Sequence, residues 1–240
     1  MNINAYYKQL NQTGAEIQTY SFSDSDTSAA HSISHGYLHD LSIFYELVGN
    51  RYEAPLFDLA LKEYQLALVA LTTGQYRHAF IGLRLFFEMM LAGVLFSACE
   101  INYRLWARNE KDIVWAELIN EDRGVFCRNF CVSFNEELKD HTKPFKGMSE
   151  KVYRECSEYV HGNLHTHIRL PSQIQFTKDV CLEWHDKAAT MYLVILFLFS
   201  IRYLRSLNTI NNAKFTTYKS KIEAIIISEL GHIPEIRNQI

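Results

Sequence analysis

An arginine and a histidine seven residues apart are the side chains of this sequence best suited to chemistry. They are Arg154 and His161, in the segment KVYRECSEYVHG that covers residues 151–162. On an α-helix, seven residues turn through about 700°, only about 20° short of two full turns, so both side chains lie on one face. Histidine exchanges protons near neutral pH and can move one to or from a ribose 2′-hydroxyl or a leaving oxygen. Arginine can stabilise the charge that a phosphate carries in the transition state. The pair is therefore suited to phosphodiester cleavage without a metal ion.

Other polar residues are candidates for supporting this pair. Ser157 and Glu158 fall on the same polar stripe and are predicted to orient it. Arg84 and Glu88 lie four residues apart inside a segment that is apolar on nearly all sides. Two interpretations of them stay open, because an i, i+4 ion pair would explain their presence, and so would a place in the cleft that holds Arg154.

A local excess of positive charge precedes the pair. Residues 139–154 contain five Lys or Arg against two acidic residues, in a chain whose net charge is −3. Such a patch can hold a phosphate backbone, although a solvated helix face gives the same pattern. The candidate RNA-binding residues are Lys143, Lys146 and Lys151, together with His165, His167 and Arg169, which follow the pair.

Metal binding is the alternative use of the histidines. His161, His165 and His167, with Cys156, offer nitrogen and sulfur ligands of the kind that zinc takes. A histidine-bearing loop beside a site that cleaves RNA explains the same residues, so we expect neither a metal nor another cofactor. Cys127 and Cys131, four residues apart, are interpreted as packed thiols.

The elements that position these residues are predicted to be helices. The chain has 240 residues, of which only 10 are Gly and 4 are Pro, and 48% are hydrophobic. This composition favours long helices, and the predicted fold is an all-α bundle of six to eight helices. Residues 1–35, rich in Ser and Asp, are expected to form an irregular N-terminal arm or loop, and residues 36–240 a single helical domain. The predicted helices cover 35–49, 55–74, 75–97, 149–161 and 178–207, and a last helix ends at Leu230. Ser149 is the predicted N-terminal cap of the helix over 149–161, and Gly162 follows the end of that helix.

The segment 109–138 is less regular, and its residues 113–115 are compatible with a strand or a helix. Apolar stretches at 89–99 and 188–201 are shorter than the ~20 residues needed to cross a bilayer, so we expect buried core helices and no membrane contact. Five cysteines, an odd number, and an N-terminus without a signal-peptide pattern indicate a reducing cytoplasm. Motifs for ATP hydrolysis, dinucleotide binding, zincin proteolysis and α/β-hydrolase chemistry are missing from the sequence.

The segment around Arg154 and His161 resembles the HEPN superfamily. Its members are α-helical bundles marked by an Arg, four to six intervening residues and a His near a helix end, and six residues lie between the two here. The family often has Asn, Asp or His directly after the Arg, where this chain has Glu155. Many HEPN proteins are metal-independent ribonucleases of toxin–antitoxin, abortive-infection and CRISPR systems, and they dimerise so that two Arg–His pairs meet in one cleft.

The resemblance implies that Arg154 and His161 are catalytic and that the protein is a cytoplasmic homodimer. It also implies an RNA substrate that is cleaved by 2′-hydroxyl attack to leave a 2′,3′-cyclic phosphate, and an antitoxin or defence-system protein as a partner. The alternative hypothesis is a non-catalytic helical scaffold or assembly subunit of a defence complex, a degenerate member of the same superfamily.

Overall fold

The computed structural model describes residues 2–207 and 213–240, and within these ranges the protein is all-α, without strands. Seven of the described helices have 18 or more residues, and shorter helices connect them. The helices are α1 (Ile3–Ser23), α2 (Ser25–Val48), α3 (Ala54–Thr72), α4 (Tyr76–Phe96), α5 (Glu100–Ala107), α6 (Trp115–Leu118), α7 (Arg128–Asn135), α8 (Thr142–His161), α9 (Leu164–Arg169), α10 (Lys178–Leu207), α11 (Ala213–Leu230) and α12 (Pro234–Arg237). A 3-10 helix, Glu136–His141, joins α7 to α8. The predicted all-α class is confirmed. The described residues form twelve α-helices rather than the six to eight predicted, because short helices connect the seven long ones.

The N-terminal segment is helical, so the expectation of an irregular arm over residues 1–35 is wrong. Helices α1 and α2 occupy almost all of it. Asp24, which this expectation places in a loop, is instead the N-cap of α2, and its carboxylate accepts hydrogen bonds from the backbone N–H groups of Asp26 and Thr27. The face of α2 that packs inward carries Thr27, His31 and Ser34. Because these buried residues are polar, the hydrophobic periodicity that signals a helix is missing from the sequence here.

Two apolar helices form the centre of the bundle. Helix α4 is buried on nearly all sides, and α10 spans 178–207 as the sequence predicts. Helix α3 packs closely along α4 because small residues face it, and the missing side chain of Gly93 leaves room for the ring of Phe57. One continuous cluster of buried apolar side chains extends from Leu38 to Ile236.

Helices α4 and α10 are also long and apolar enough to cross a membrane by length and composition. The most apolar 18-residue window of α4 is 67% buried inside the bundle, and that of α10 is 72% buried. Core helices of soluble proteins pass the same test, so the absence of membrane contact stays a prediction.

Helix α8, which carries Arg154 and His161, begins at Thr142 rather than at Ser149. The predicted N-cap is wrong because Ser149 lies in the helix interior, where its buried hydroxyl donates a hydrogen bond to the carbonyl of Phe145. Pro144 does not interrupt the helix because it lies in the first turn, where backbone N–H groups have no partner within the helix. Upstream, Val114 is extended and α6 follows it, so residues 113–115 form no strand.

Candidate functional site

The C-terminal end of α8 is fixed by a glycine cap and by an arginine from α4. Gly162 has the left-handed conformation, with φ 64° and ψ 34°, and its N–H donates to the carbonyl of Glu158, as the sequence predicts for a helix end. Arg77, in the first turn of α4, donates from Nη1 to the carbonyl of Tyr159 at 2.5 Å. Its Nη2 lies 3.3 Å from Nδ1 of His167 in α9. The end of α8 and the start of α9 are therefore held in one arrangement.

Arg154 and His161 both lie exposed on the surface of α8. Within residues 2–207 and 213–240 neither side chain has a hydrogen bond or an ion pair. Seven residues correspond to a rise of about 10 Å along the helix axis, so the two groups are about two turns apart on the same face. Their functional groups are available to a ligand that approaches from solvent.

The residues next to the pair are used differently from what the sequence suggests. The hydroxyl of Ser157 donates to the carbonyl of Tyr153 at 2.7 Å, so it bonds to its own helix rather than to His161. Glu158 is half-buried, and its carboxylate has no ion pair in the described parts of the chain. Glu155, which follows Arg154, accepts a hydrogen bond at 2.6 Å from Lys187 of α10. Its charge is therefore balanced from outside α8.

Arg84 and Glu88 reach α8 through Tyr153. They form the expected i, i+4 ion pair at 3.1 Å, and the Tyr153 hydroxyl accepts from Arg84 at 2.6 Å and donates to Glu88 at 2.7 Å. The Tyr153 ring stacks on Trp115 with a centroid distance of 3.6 Å. Burial, together with Glu88, raises the pKa of Tyr153 to about 12, so its hydroxyl stays protonated and keeps this bridge.

Because consecutive helix residues point about 100° apart, this anchor lies beside the face of Arg154 and not on it. Arg84 and Glu88 thus hold α8 in place through Tyr153. The ion-pair interpretation of these two residues is confirmed, whereas no hydrogen bond or ion pair joins either of them to Arg154 or His161.

The basic patch before the pair is partly neutralised. Lys146 is 3.2 Å from a carboxylate oxygen of Glu121 and 3.8 Å from one of Glu150. Lys143 and Lys151 are exposed and have no ion pair among the described residues. Eighteen residues separate Lys143 from His161, which corresponds to five full helical turns, so Lys143, Arg154 and His161 lie along one line of α8.

The residues after the helix contribute less free charge. Arg169 pairs with Glu183 of α10, and His167 lies against Arg77. His165 is exposed. Of the six predicted RNA-binding residues, Lys143, Lys151 and His165 therefore remain without an ion pair or a hydrogen bond within the described ranges.

The predicted zinc alternatives are not brought together. Cys156 is buried toward the core, where burial raises the pKa of its thiol to about 12, whereas His161 and His165 are exposed. Cys127 accepts a hydrogen bond from the backbone N–H of Phe130 at the start of α7, which agrees with a packed thiol. In the described ranges, the group of His, Cys and acidic side chains that could hold a metal is a different one, deep under α2.

Exposed apolar side chains precede and follow His161 in the sequence. Val160 at the end of α8 and Leu164 and Ile168 in α9 are four residues apart in sequence, with exposures of 41%, 72% and 71%. We call these three residues the apolar row. Apolar groups grouped on a surface are typical of protein contacts.

Sequence reasoning missed the residues that fix α8 from other helices. Arg77, Trp115 and Lys187 lie between 32 and 82 residues from their partners on α8. No local spacing connects such pairs, so only the folded structure identifies them. No protein-family model, no curated protein and no solved structure matches this chain.

Proposed function

We propose that this chain is a metal-independent endoribonuclease of the HEPN type, acting in a bacterial defence or toxin–antitoxin system. The observation that supports the proposal most directly is the exposed line on α8. Arg154 and His161 lie there on one face of a helix anchored at several points, and no described residue occupies either group by a hydrogen bond or an ion pair.

The chemistry assigned to the pair needs two proton transfers. His161 acts as the general acid or base, and Arg154 donates hydrogen bonds to the phosphate oxygens. The ribose 2′-oxygen loses its proton and bonds to phosphorus, while the bond from phosphorus to the 5′-oxygen breaks and that oxygen gains a proton. The products are a 2′,3′-cyclic phosphate and a 5′-hydroxyl.

A homodimer would supply both proton-transfer groups. A single His161 has to take up one proton and deliver another, whereas His161 of the partner subunit lets one imidazole act as base and the other as acid. The apolar row begins with Val160, the sequence neighbour of His161, and gives a second copy apolar side chains to bind. Burying it in a symmetric contact would bring two copies of α8 together.

Positive charge along α8 supports binding of an RNA backbone. Lys143 and Lys151 extend the site toward the start of the helix, over about 27 Å from Lys143 to His161. Unpaired cations of this kind bind phosphates through counterion release, so affinity is expected to fall steeply with salt.

The proposal is tested with substitutions of the pair and with matched controls. Arg154→Ala and His161→Ala are each expected to lower the cleavage rate of a labelled single-stranded RNA by at least about 100-fold. Arg128→Ala and His39→Ala remove the same residue types from exposed positions on α7 and α2, and we expect them to cleave normally. Full activity of Arg154→Ala would contradict the proposal.

The apolar row also favours a second candidate, a non-catalytic scaffold or assembly subunit. That candidate predicts a stable complex with another protein and no cleavage by the wild-type chain. Leu164→Lys separates the two, since a scaffold would lose its partner, whereas a nuclease would lose its dimer and its activity together.

The cytoplasmic location remains a prediction. The five cysteines are free thiols, as a reducing compartment would keep them.

A further inference from the structure

A group of polar side chains lies buried where α1, α2 and α10 meet. It contains His31 of α2 and Cys181 and His185 of α10, and each is at most 6% exposed. One ring nitrogen of each histidine and the sulfur of Cys181 lie within 4.8 Å of one another. Cys181 and His185 are four residues apart, so they project from the same face of α10.

The three ligand atoms lie nearly as close together as the ligands of a tetrahedral metal ion. Zinc binds nitrogen at about 2.0 Å and sulfur at about 2.3 Å, so its ligands lie roughly 3.3 to 3.6 Å apart. In the structure, Nδ1 of His31 is 3.1 Å from Nε2 of His185, and Nε2 of His31 is 3.8 Å from the sulfur of Cys181. These two contacts use different nitrogens of His31, and one ion would take only one of them, so the His31 ring has to turn when a metal binds.

Serine hydroxyls orient both rings. Nδ1 of His185 lies 2.7 Å from Oγ of Ser34, which leaves its Nε2 directed toward His31 and Cys181. Oγ of Ser21 lies 2.6 Å from Nε2 of His31, which leaves Nδ1 of His31 facing His185. Metal-binding histidines commonly have such a polar partner on the nitrogen that does not bind the metal.

We propose that His31, Cys181 and His185 form a binding site for a zinc ion, to which the protein supplies three ligands. Two imidazoles and a thiolate are ligands that zinc prefers, and its binding releases the thiol proton of Cys181. The ion would fasten α2, and through Ser21 also α1, onto the central helix α10. This is the segment in which polar residues replace the usual apolar contacts, so a metal ion would supply cohesion that the packing there does not. The site is separate from Arg154 and His161, and the inference does not depend on the proposed function.

Zinc addition to the wild-type chain tests the site first. The protein is prepared without a histidine tag, treated with a chelator, and checked by circular dichroism to be helical. One equivalent of Zn²⁺ is expected to raise its melting temperature, and the same concentration of Mg²⁺ is not. Co²⁺, as a spectroscopic substitute, is expected to show the visible bands of a tetrahedral site and a near-ultraviolet band from a thiolate ligand.

Two variants then locate the ligands. Cys181→Ser is expected to abolish the thiolate band, whereas Cys131→Ser retains it. Cys131 is a suitable control because it is equally buried, and burial raises the pKa of both thiols to about 11. Ser34→Ala keeps all three ligands and is expected to weaken zinc binding by about 10- to 100-fold, as loss of an outer partner does elsewhere.

Two results would overturn the proposal. One is a folded, chelator-treated wild-type chain that gives no cobalt spectrum and no thermal shift with Zn²⁺. The other is a thiolate band that disappears in Cys131→Ser and persists in Cys181→Ser. Because the first result is read on the wild-type protein, it decides the question even if Cys181→Ser does not fold.

Discussion

Replacing Gly147, inside α8, and Gly162, which caps the end of α8, by alanine should change stability in opposite directions. Gly162 has φ 64°, a conformation that costs an L-residue about 1 kcal/mol or more. A Cβ atom there would meet only Nε2 of His167, at 3.6 Å, so no clash adds to this cost. Gly147 lies exposed inside the helix, and a Cβ atom there would meet nothing within 4 Å. Alanine is favoured over glycine by about 1 kcal/mol at such positions.

Gly162→Ala should therefore lower the free energy of unfolding by about 1 kcal/mol, and Gly147→Ala should raise it by about 1 kcal/mol. For a chain of this size, each change corresponds to about 2–4 °C in melting temperature. Urea unfolding followed by circular dichroism measures both, with the slope m expected to stay constant. Gly162→Asn should fall between wild type and Gly162→Ala, because asparagine tolerates the left-handed conformation.

The reasoning would be refuted if Gly162→Ala were as stable as wild type, because the helix would then not end in the cap that positions His161. A loss of stability in Gly147→Ala would contradict the assignment of that residue to the interior of α8.

Three further outcomes are expected from the packing. Gly93→Ala should destabilise the protein by about 1–3 kcal/mol in urea unfolding, because its Cβ atom would lie 2.4 Å from the buried ring of Phe57. If this variant were as stable as wild type, α3 and α4 would not be in close contact. Tyr153→Phe should lower the free energy of unfolding by about 1–2 kcal/mol, because the Arg84–Glu88 ion pair loses its hydrogen bonds to α8. An unchanged free energy of unfolding would mean that the Tyr153 hydroxyl lies in solvent. A thiol reagent should label Cys99 quickly and the four buried cysteines only after denaturation. Mass spectrometry counts the labels on each chain. Rapid labelling of a second thiol in the native protein would contradict the burial of the other four.

The parts of the fold that the sequence predicts are those with a strong hydrophobic signal. The bounds predicted for α4 and α10 from their long apolar runs agree with the bounds in the structure to within a residue or two. The same logic fails over residues 1–35, because the buried face of α2 is built from Thr27, His31 and Ser34. It fails again at Ser149, since a serine inside a helix can bond to a carbonyl four residues earlier as well as serve as a cap.

The candidate site is likewise only partly predictable from the sequence. Placing Arg154 and His161 on one face needs only the helical period, so the sequence is sufficient. Predicting that Lys187 neutralises Glu155, or that Arg77 holds the helix end, requires contacts between distant helices. Those contacts depend on the packing of the whole bundle, which no local pattern encodes.

The most direct test of the central claim compares two RNAs of one sequence, one unmodified and one with 2′-O-methyl riboses throughout. Wild-type protein is incubated with each in EDTA, and circular dichroism confirms that it stays helical under these conditions. We expect cleavage of the unmodified RNA to cyclic phosphate ends, no cleavage of the methylated RNA, and no cleavage of either by His161→Ala. Cleavage of the methylated RNA, or undiminished cleavage by His161→Ala, would contradict it.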